Sequence, residues 1–258
     1  ILNTKPDYVI HLAAHVGSLH DNIRNRCAYF DNNILMNTNI TMICAENNVQ
    51  NFLGILSTCI YPDQIKDFPI VEEDLHKGAP HTSLMSYSYA KRAHAIQIDN
   101  YRETKNLNYR YLIPCNMYGK EKLSHTNRSH FINDLVKKIF YAKKQNKELV
   151  LFGDGSPLRQ FMHASDFAEI ISSYVSRKLS VSCNVAPNIN LSINNYAELA
   201  LKALGFDNMT ITYDSSLPNG QFRKDVSNQR FMSFFPNFKF KKLESGIQEL
   251  YVYFEKNL

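Results

Sequence analysis

Phe52-Leu53-Gly54-Ile55-Leu56-Ser57-Thr58-Cys59-Ile60-Tyr61-Pro62 is an apolar run of strand type that ends in hydroxyls, a thiol and a proline turn. A strand that closes on small polar side chains delivers them to the carboxyl edge of a parallel sheet, where ligands of open α/β sheets bind. Further on, Tyr87-Ser88-Tyr89-Ala90-Lys91 sets a tyrosine four residues before a lysine. On a helix Tyr87 and Lys91 share one face, whereas Tyr89 projects from a different side. An ammonium beside a phenol favours phenolate, so Lys91 is expected to pull Tyr87 down from about 10 toward working pH, where it can give and take a proton. Ser57 is then expected to hydrogen-bond the same substrate oxygen that Tyr87 protonates.

The 258 residues, 44% of them hydrophobic, suffice for a sizeable core in one large domain or two small ones. No apolar run reaches the roughly 20 residues of a membrane span, and no signal-peptide pattern opens the chain. Cys27, Cys44, Cys59, Cys115 and Cys183 are odd in number and scattered, which predicts a reduced, cytoplasmic protein without disulfides. A net charge of +5 suits an anionic substrate but is spread too evenly for a nucleic-acid partner. With no CxxC and no paired histidine spacing, no metal site is expected.

In chain order, Asp7 to Ala14 reads as a buried strand closing on Ala13 and Ala14, whose small side chains would let a flat cofactor lie against the backbone. His11 within it reads as a packed or hydrogen-bonded histidine. A loop from Gly17 to Asn25 leads to a helix over 28–48, with Ile34, Met36, Ile40, Ile43 and Cys44 on its apolar side. Residues 63–85 form a long irregular loop of the kind that is usually functional or mobile. Ser83 or Ser86 is expected to cap the helix that holds Tyr87 and Lys91. A strand at Tyr109–Ile113 ends in Pro114-Cys115-Asn116-Met117-Tyr118-Gly119, again turn chemistry at a sheet edge. Beyond residue 120 come a polar loop, a basic helix ending near Lys144, a strand at Leu149–Phe152, and helices near 165–177, 193–204 and 242–256. Strands near 183–186 and 209–213 alternate with these helices.

The order of Ser57 first and the YxxxK tyrosine later resembles the short-chain dehydrogenase/reductase superfamily in its extended, sugar-nucleotide branch. Such folds hold a dinucleotide pyrophosphate on a glycine-rich turn, and no GxxGxxG occurs here. The resemblance therefore implies an α/β chain that opens partway through the fold. It is read as a partial Rossmann-like parallel sheet with N-terminal strands missing over 1–120, and a smaller C-terminal α/β substrate domain over 121–258 from which some segments return. Without the turn, the chain is expected to bind NADPH poorly.

The resemblance narrows on Ser57 to Pro62, Tyr87 to Lys91, Pro114 to Gly119, Ser129-His130, Phe152 through Phe161, and Gly220-Gln221-Phe222-Arg223-Lys224. Together these are similar to the GDP-L-fucose synthases, epimerase/reductases acting on GDP-4-keto-6-deoxy-D-mannose with NADPH. A ketone at carbon 4 acidifies the hydrogens on carbons 3 and 5, so one oxyanion site serves both epimerisations and the reduction. The resemblance implies Ser57 and Tyr87 for that site, Cys59 and His130 as the acid/base pair, and Lys91 on the nicotinamide ribose. It also implies a cofactor lying against Ala13, Ala14, Pro114 and Asn116. Lys138, Arg159 and Lys224 are expected at the diphosphate or sugar, and Phe152 in the substrate pocket. The helices 28–48 and 87–105 imply a homodimer built on a four-helix bundle. Asn219, Asn133 and the loop 120–129 depart from the family's pattern. Two other readings stand beside this one: a related nucleotide-sugar epimerase or dehydratase, and a non-enzymatic remnant or regulatory partner.

Overall fold

The computed structural model describes residues 3–121, 131–216 and 221–258. Strand β1 (Tyr8–His11) is followed by α1 (Leu19–Arg24), α2 (Arg26–Glu46), β2 (Asn51–Ile55), α3 (Met85–Lys105), β3 (Asn108–Pro114) and β4 (Asn116–Tyr118). The chain continues through α4 (Phe131–Gln145), β5 (Leu149–Phe152), β6 (Leu158–Arg159), β7 (Phe161–His163), α5 (Ala164–Ser176) and β8 (Cys183–Val185). It closes with β9 (Leu191–Ser192), α6 (Ile193–Leu204), β10 (Ile211–Asp214), α7 (Gln229–Phe234) and α8 (Leu243–Asn257).

Four strands form one parallel sheet in the order β1-β2-β3-β8. Parallel strands are covered on both faces and so carry continuous apolar runs, and Phe52, Leu53, Leu112 and Ile113 are all fully buried. The carboxyl ends of β2, β3 and β8 therefore meet at one edge, which carries Ser57, Pro114 and Ala186. A first core lies around this sheet and includes Leu53, Leu112, Ile170, Val185 and, from far along the chain, Val226 and Phe231. A second core joins α4, α6 and α8 through Ile132, Leu135, Ile139, Ala197, Leu250 and Phe254. The parallel pair β5–β10 flanks it. No helix among the described residues is long and apolar enough to cross a membrane.

Three local expectations are corrected. The loop at Gly17–Asn25 contains α1, whose first turn is capped by Ser18 Oγ accepting from Asp21 N at 3.2 Å. Neither Ser83 nor Ser86 caps α3, which grows out of a short 3-10 turn at Thr82–Leu84 that His81 caps by accepting from Ser83 N. The inward stripe of α2 is Tyr29, Asn33, Asn37, Thr41 and Cys44, while Leu35, Met42 and Ile43 are exposed. Each polar residue of that stripe finds at least one partner through its side chain. Asn33 Nδ2 donates to His15 O, Asn37 Oδ1 lies 2.9 Å from His11 Nε2, and Thr41 Oγ1 lies 3.0 Å from His94 Nε2. His11 is thus the hydrogen-bonded histidine expected from its place in the strand.

Gly54 sets how closely α3 approaches the sheet. A Cβ added there would stand 2.7 Å from Ile98 Cδ1 and 3.0 Å from His94 Cε1. Gly54→Val is therefore expected to destabilise the protein by about 1–3 kcal/mol through overpacking, read as a lowered urea midpoint at unchanged slope.

Candidate active site

After β2 the chain makes a 3-10 turn over Thr58–Ile60, with Ser57 Oγ accepting from Cys59 N at 3.4 Å. Two consecutive cations of α3 hold this turn. Lys91, 2% exposed, donates from Nζ to Ile55 O at 2.9 Å on the strand side. Arg92 donates from Nε to Ile60 O at 2.9 Å and from Nη1 to Gly78 O at 2.7 Å on the far side. Hydrogen bonds from charged donors contribute roughly 1.5–3 kcal/mol each, enough to fix the turn against α3.

Tyr87, one helical turn before Lys91, faces the same space as Ser57 and Cys59. These three line a cavity of about 280 Å³ at the carboxyl edge of the sheet, with Asn22, Leu84, Pro114, Asn116 and Lys224 among its other walls. A larger cleft of about 700 Å³ lies at the amino ends of β1 and β2, lined by Lys5, Asp7, Asn48 and Asn51. It sits at the end of the strands opposite to the ligand edge of open α/β sheets.

Lys224 arrives from the far end of the chain and places Nζ 3.6 Å from Cys59 Sγ. Burial pushes the Cys59 thiol up, but the Lys224 ammonium, a hydrogen bond with Ser57 and the Arg159 guanidinium together bring it below the ordinary thiol value. A thiolate held beside a cation is the reactive form of cysteine. Cys115 borders the same cavity, yet burial drives its thiol up and it stays protonated.

Tyr87 departs from the expectation of a phenol lowered by Lys91. Burial raises it, negative charge on Cys59 raises it further, and a hydrogen bond with Ser57 opposes both. The reason is geometric, since the Lys91 ammonium is turned onto the Ile55 carbonyl. Burial in turn lowers Lys91 to about 8.

Of the other expected site residues, Arg159 is near enough to Cys59 for the two charges to stabilise each other, and its Nη1 donates to Leu158 O at 2.7 Å. Pro114 and Asn116 wall the cavity, while Ala13 and Ala14 follow the end of β1 and are not among its lining residues. Lys138 and Phe152 meet each other, with Nζ 3.7 Å from the ring centroid, and Lys138 also pairs with Asp134 at 3.4 Å. Neither lines the cavity. His130, Ser129, Asn219 and Gly220 lie outside the described residues. Arg92, Asn22 and Leu84 went unread in the sequence. An arginine beside a helical lysine signals only charge, and Asn22 stood in an apparent loop whose one clue was the Ser18-to-Asp21 capping pattern.

The NAD dependent epimerase/dehydratase family matches residues 1–186. The chain belongs to that family. It is 35% identical to the GDP-L-fucose synthase of Dictyostelium discoideum, over 98% of this chain and 79% of that protein. It is 34% identical to the GDP-L-colitose synthase of Yersinia pseudotuberculosis, over 98% of this chain and 83% of that one. Among solved structures, a GDP-L-fucose synthetase from Naegleria fowleri bound to NADP superposes with a TM-score of 0.87 at 31% identity, covering 99% of this chain and 78% of that chain. These matches place the family member among the GDP-L-fucose synthases, which are enzymes with a Rossmann-like α/β fold.

The Cys59–Lys224 contact gives a direct test. Lys224→Met removes the cation that lowers the thiol, so the pH profile of Cys59 alkylation by iodoacetamide, followed on its own peptide by mass spectrometry, is expected to move to higher pH. An unmoved profile would assign the lowered thiol to Ser57 and Arg159 alone.

Proposed function

We propose that this chain carries out the GDP-L-fucose synthase reaction, epimerising GDP-4-keto-6-deoxy-D-mannose at carbons 3 and 5 and reducing carbon 4 with NADPH. The observation that carries the reading is Lys224 Nζ at 3.6 Å from Cys59 Sγ, in a cavity shared with Ser57 and Tyr87. A related epimerase or dehydratase, or a non-enzymatic remnant, accounts less well for a cation-paired thiol in that place.

The residues present fit the nicotinamide end of the cofactor. Ser57, Tyr87 and Asn116 wall the cavity with hydrogen-bonding groups, Lys91 stands one helical turn from Tyr87, and Pro114 offers a flat apolar surface at the sheet edge. When bound there, NADPH supplies the hydride for carbon 4.

The chain's own residues supply the rest. Ser57 and Tyr87 donate toward the carbon 4 oxygen and stabilise the charge that develops on it. Cys59, as thiolate, takes the proton from the carbon next to the ketone, and an acid on the opposite face returns one. His130 fills that role by resemblance. Because Tyr87 is held protonated, it acts as the donor when the oxygen becomes a hydroxyl. Arg159 and Lys224 add positive charge for the diphosphate, and Lys138 with Phe152 forms an outer contact for the nucleotide.

We divide the chain near residue 120 into a Rossmann-like part and a substrate part, with Val226 and Phe231 returning to the first core. The exposed Leu35 and Met42 of α2, with Tyr89 and Ile96 of α3, offer an apolar face for a homodimer. The free cysteines suit a cytoplasmic location.

Epimerisation can be followed without cofactor as deuterium uptake from D2O at carbons 3 and 5. Cys59→Ser is expected to lower that uptake about 100-fold or more, and Tyr87→Phe to slow the NADPH-dependent reduction by about 10²–10⁴. Unchanged uptake in Cys59→Ser would remove the thiol from the chemistry. For the assembly, Leu35→Glu is expected to turn a dimer into a monomer in sedimentation velocity. A monomer already in the unmodified protein would sink the homodimer.

A further inference from the structure

Asn22 sits on α1 in the wall of the cavity that holds Ser57, Cys59 and Tyr87. The residue is 5% exposed, and the orientation of its side chain is fixed by what surrounds it. Nδ2 donates to Ser18 O at 3.0 Å and to Gly17 O at 3.4 Å. Reversing the amide would press its oxygen against two carbonyl oxygens, so the nitrogen belongs where it is and Oδ1 must face away from them. That oxygen is buried and has no hydrogen-bond partner. A buried acceptor left unpaired costs free energy that a correctly placed donor restores.

The rest of the cavity explains which donor is wanted. Ser57, Tyr87 and Lys224 present O–H and N–H groups, which suit a ketone and phosphates. Asn22 Oδ1 is the complementary kind of group, a neutral acceptor. A 4-keto-6-deoxyhexose offers hydroxyl donors on carbons 2 and 3. We infer that Asn22 is a specificity-determining residue whose Oδ1 accepts a hydrogen bond from a ring hydroxyl of the sugar nucleotide. The inference rests on the reading under Proposed function and adds to it the residue that distinguishes a hydroxylated hexose from its deoxy counterpart. A buried acceptor of this kind discriminates by being left unpaired when the wrong sugar enters.

The experiment is calorimetric binding to the cofactor-free chain of GDP, of GDP-4-keto-6-deoxy-D-mannose, and of its analogues lacking the carbon 2 or carbon 3 hydroxyl. The unmodified protein is expected to bind one deoxy analogue about tenfold more weakly than the full sugar nucleotide. Asn22→Leu is expected to erase that difference while binding GDP as before, which also shows that the variant is folded. Loss of GDP binding in step with the sugar nucleotide would make Asn22 a purely structural residue and overturn the inference. So would equal binding of both analogues and the full sugar nucleotide by the unmodified protein. An Asn22→Leu variant that keeps the discrimination of the unmodified protein would overturn it too. If the unmodified protein binds GDP-4-keto-6-deoxy-D-mannose no better than GDP, the proposed substrate itself falls, an outcome distinct from the other three.

Discussion

The turn from Ser57 to Ile60 is held open by two neighbouring cations with different tasks. Lys91 secures the carbonyl at the end of β2, and Arg92 secures the carbonyl at the end of the turn together with Gly78 in the loop beyond. Successive residues on a helix point in different directions, so one helix reaches both sides of the segment that displays Ser57 and Cys59. The position of α3 is itself fixed by the close approach at Gly54 and by the buried polar contacts between α2, α3 and β1. Ser57 and Cys59 are in this way suspended from the sheet, and their geometry follows from its packing.

A second constraint brings the other half of the site into place. The segment around Val226 runs beside Ile70, with Ile70 N donating to Asp225 O at 2.9 Å and Ser227 N donating to Ile70 O at 2.8 Å. The Gln160 amide completes the attachment: its oxygen accepts from Val226 N, and its nitrogen donates to Val226 O and Pro187 O. Gln160 follows Arg159 directly, so the same tie that positions Lys224 also positions the second cation near the thiol. The low thiol of Cys59 is a property of this junction, because burial alone would act in the opposite direction.

What could be read in advance was whatever depended on neighbours in sequence. The strand ending in Ser57 and Cys59, the spacing of Tyr87 and Lys91, and the turn after Ile113 are local patterns, and the structure gathers Ser57, Cys59, Tyr87, Pro114 and Asn116 around one cavity. The destination of a side chain was less accessible. Lys91 reads as a partner for Tyr87 until the Ile55 carbonyl is seen within reach. The inward face of α2 reads as apolar until His11 and His94 supply partners for Asn37 and Thr41. In the second half, β6 and β9 have two residues each, too few to show any periodicity, and they exist because Arg159 pairs with Leu191 and Leu158 with Ser192. Arg92 and Asn22 were hidden for the same reason, since their importance lies in carbonyls and cavities contributed by distant segments.

Cys59 and Lys224 are separated by 165 residues of chain. Contacts of such long sequence separation bear a large loop-closure entropy and form late. As the polypeptide leaves the ribosome, β1, β2, α3 and β3 are all available to assemble while Lys224 has yet to be made. Until Lys224 is present, the thiol lacks the cation that most opposes the effect of burial. The reactivity of the thiol is thereby coupled to the docking of a segment that is remote in sequence, so that Cys59 gains its principal cation only once the two halves of the site have come together.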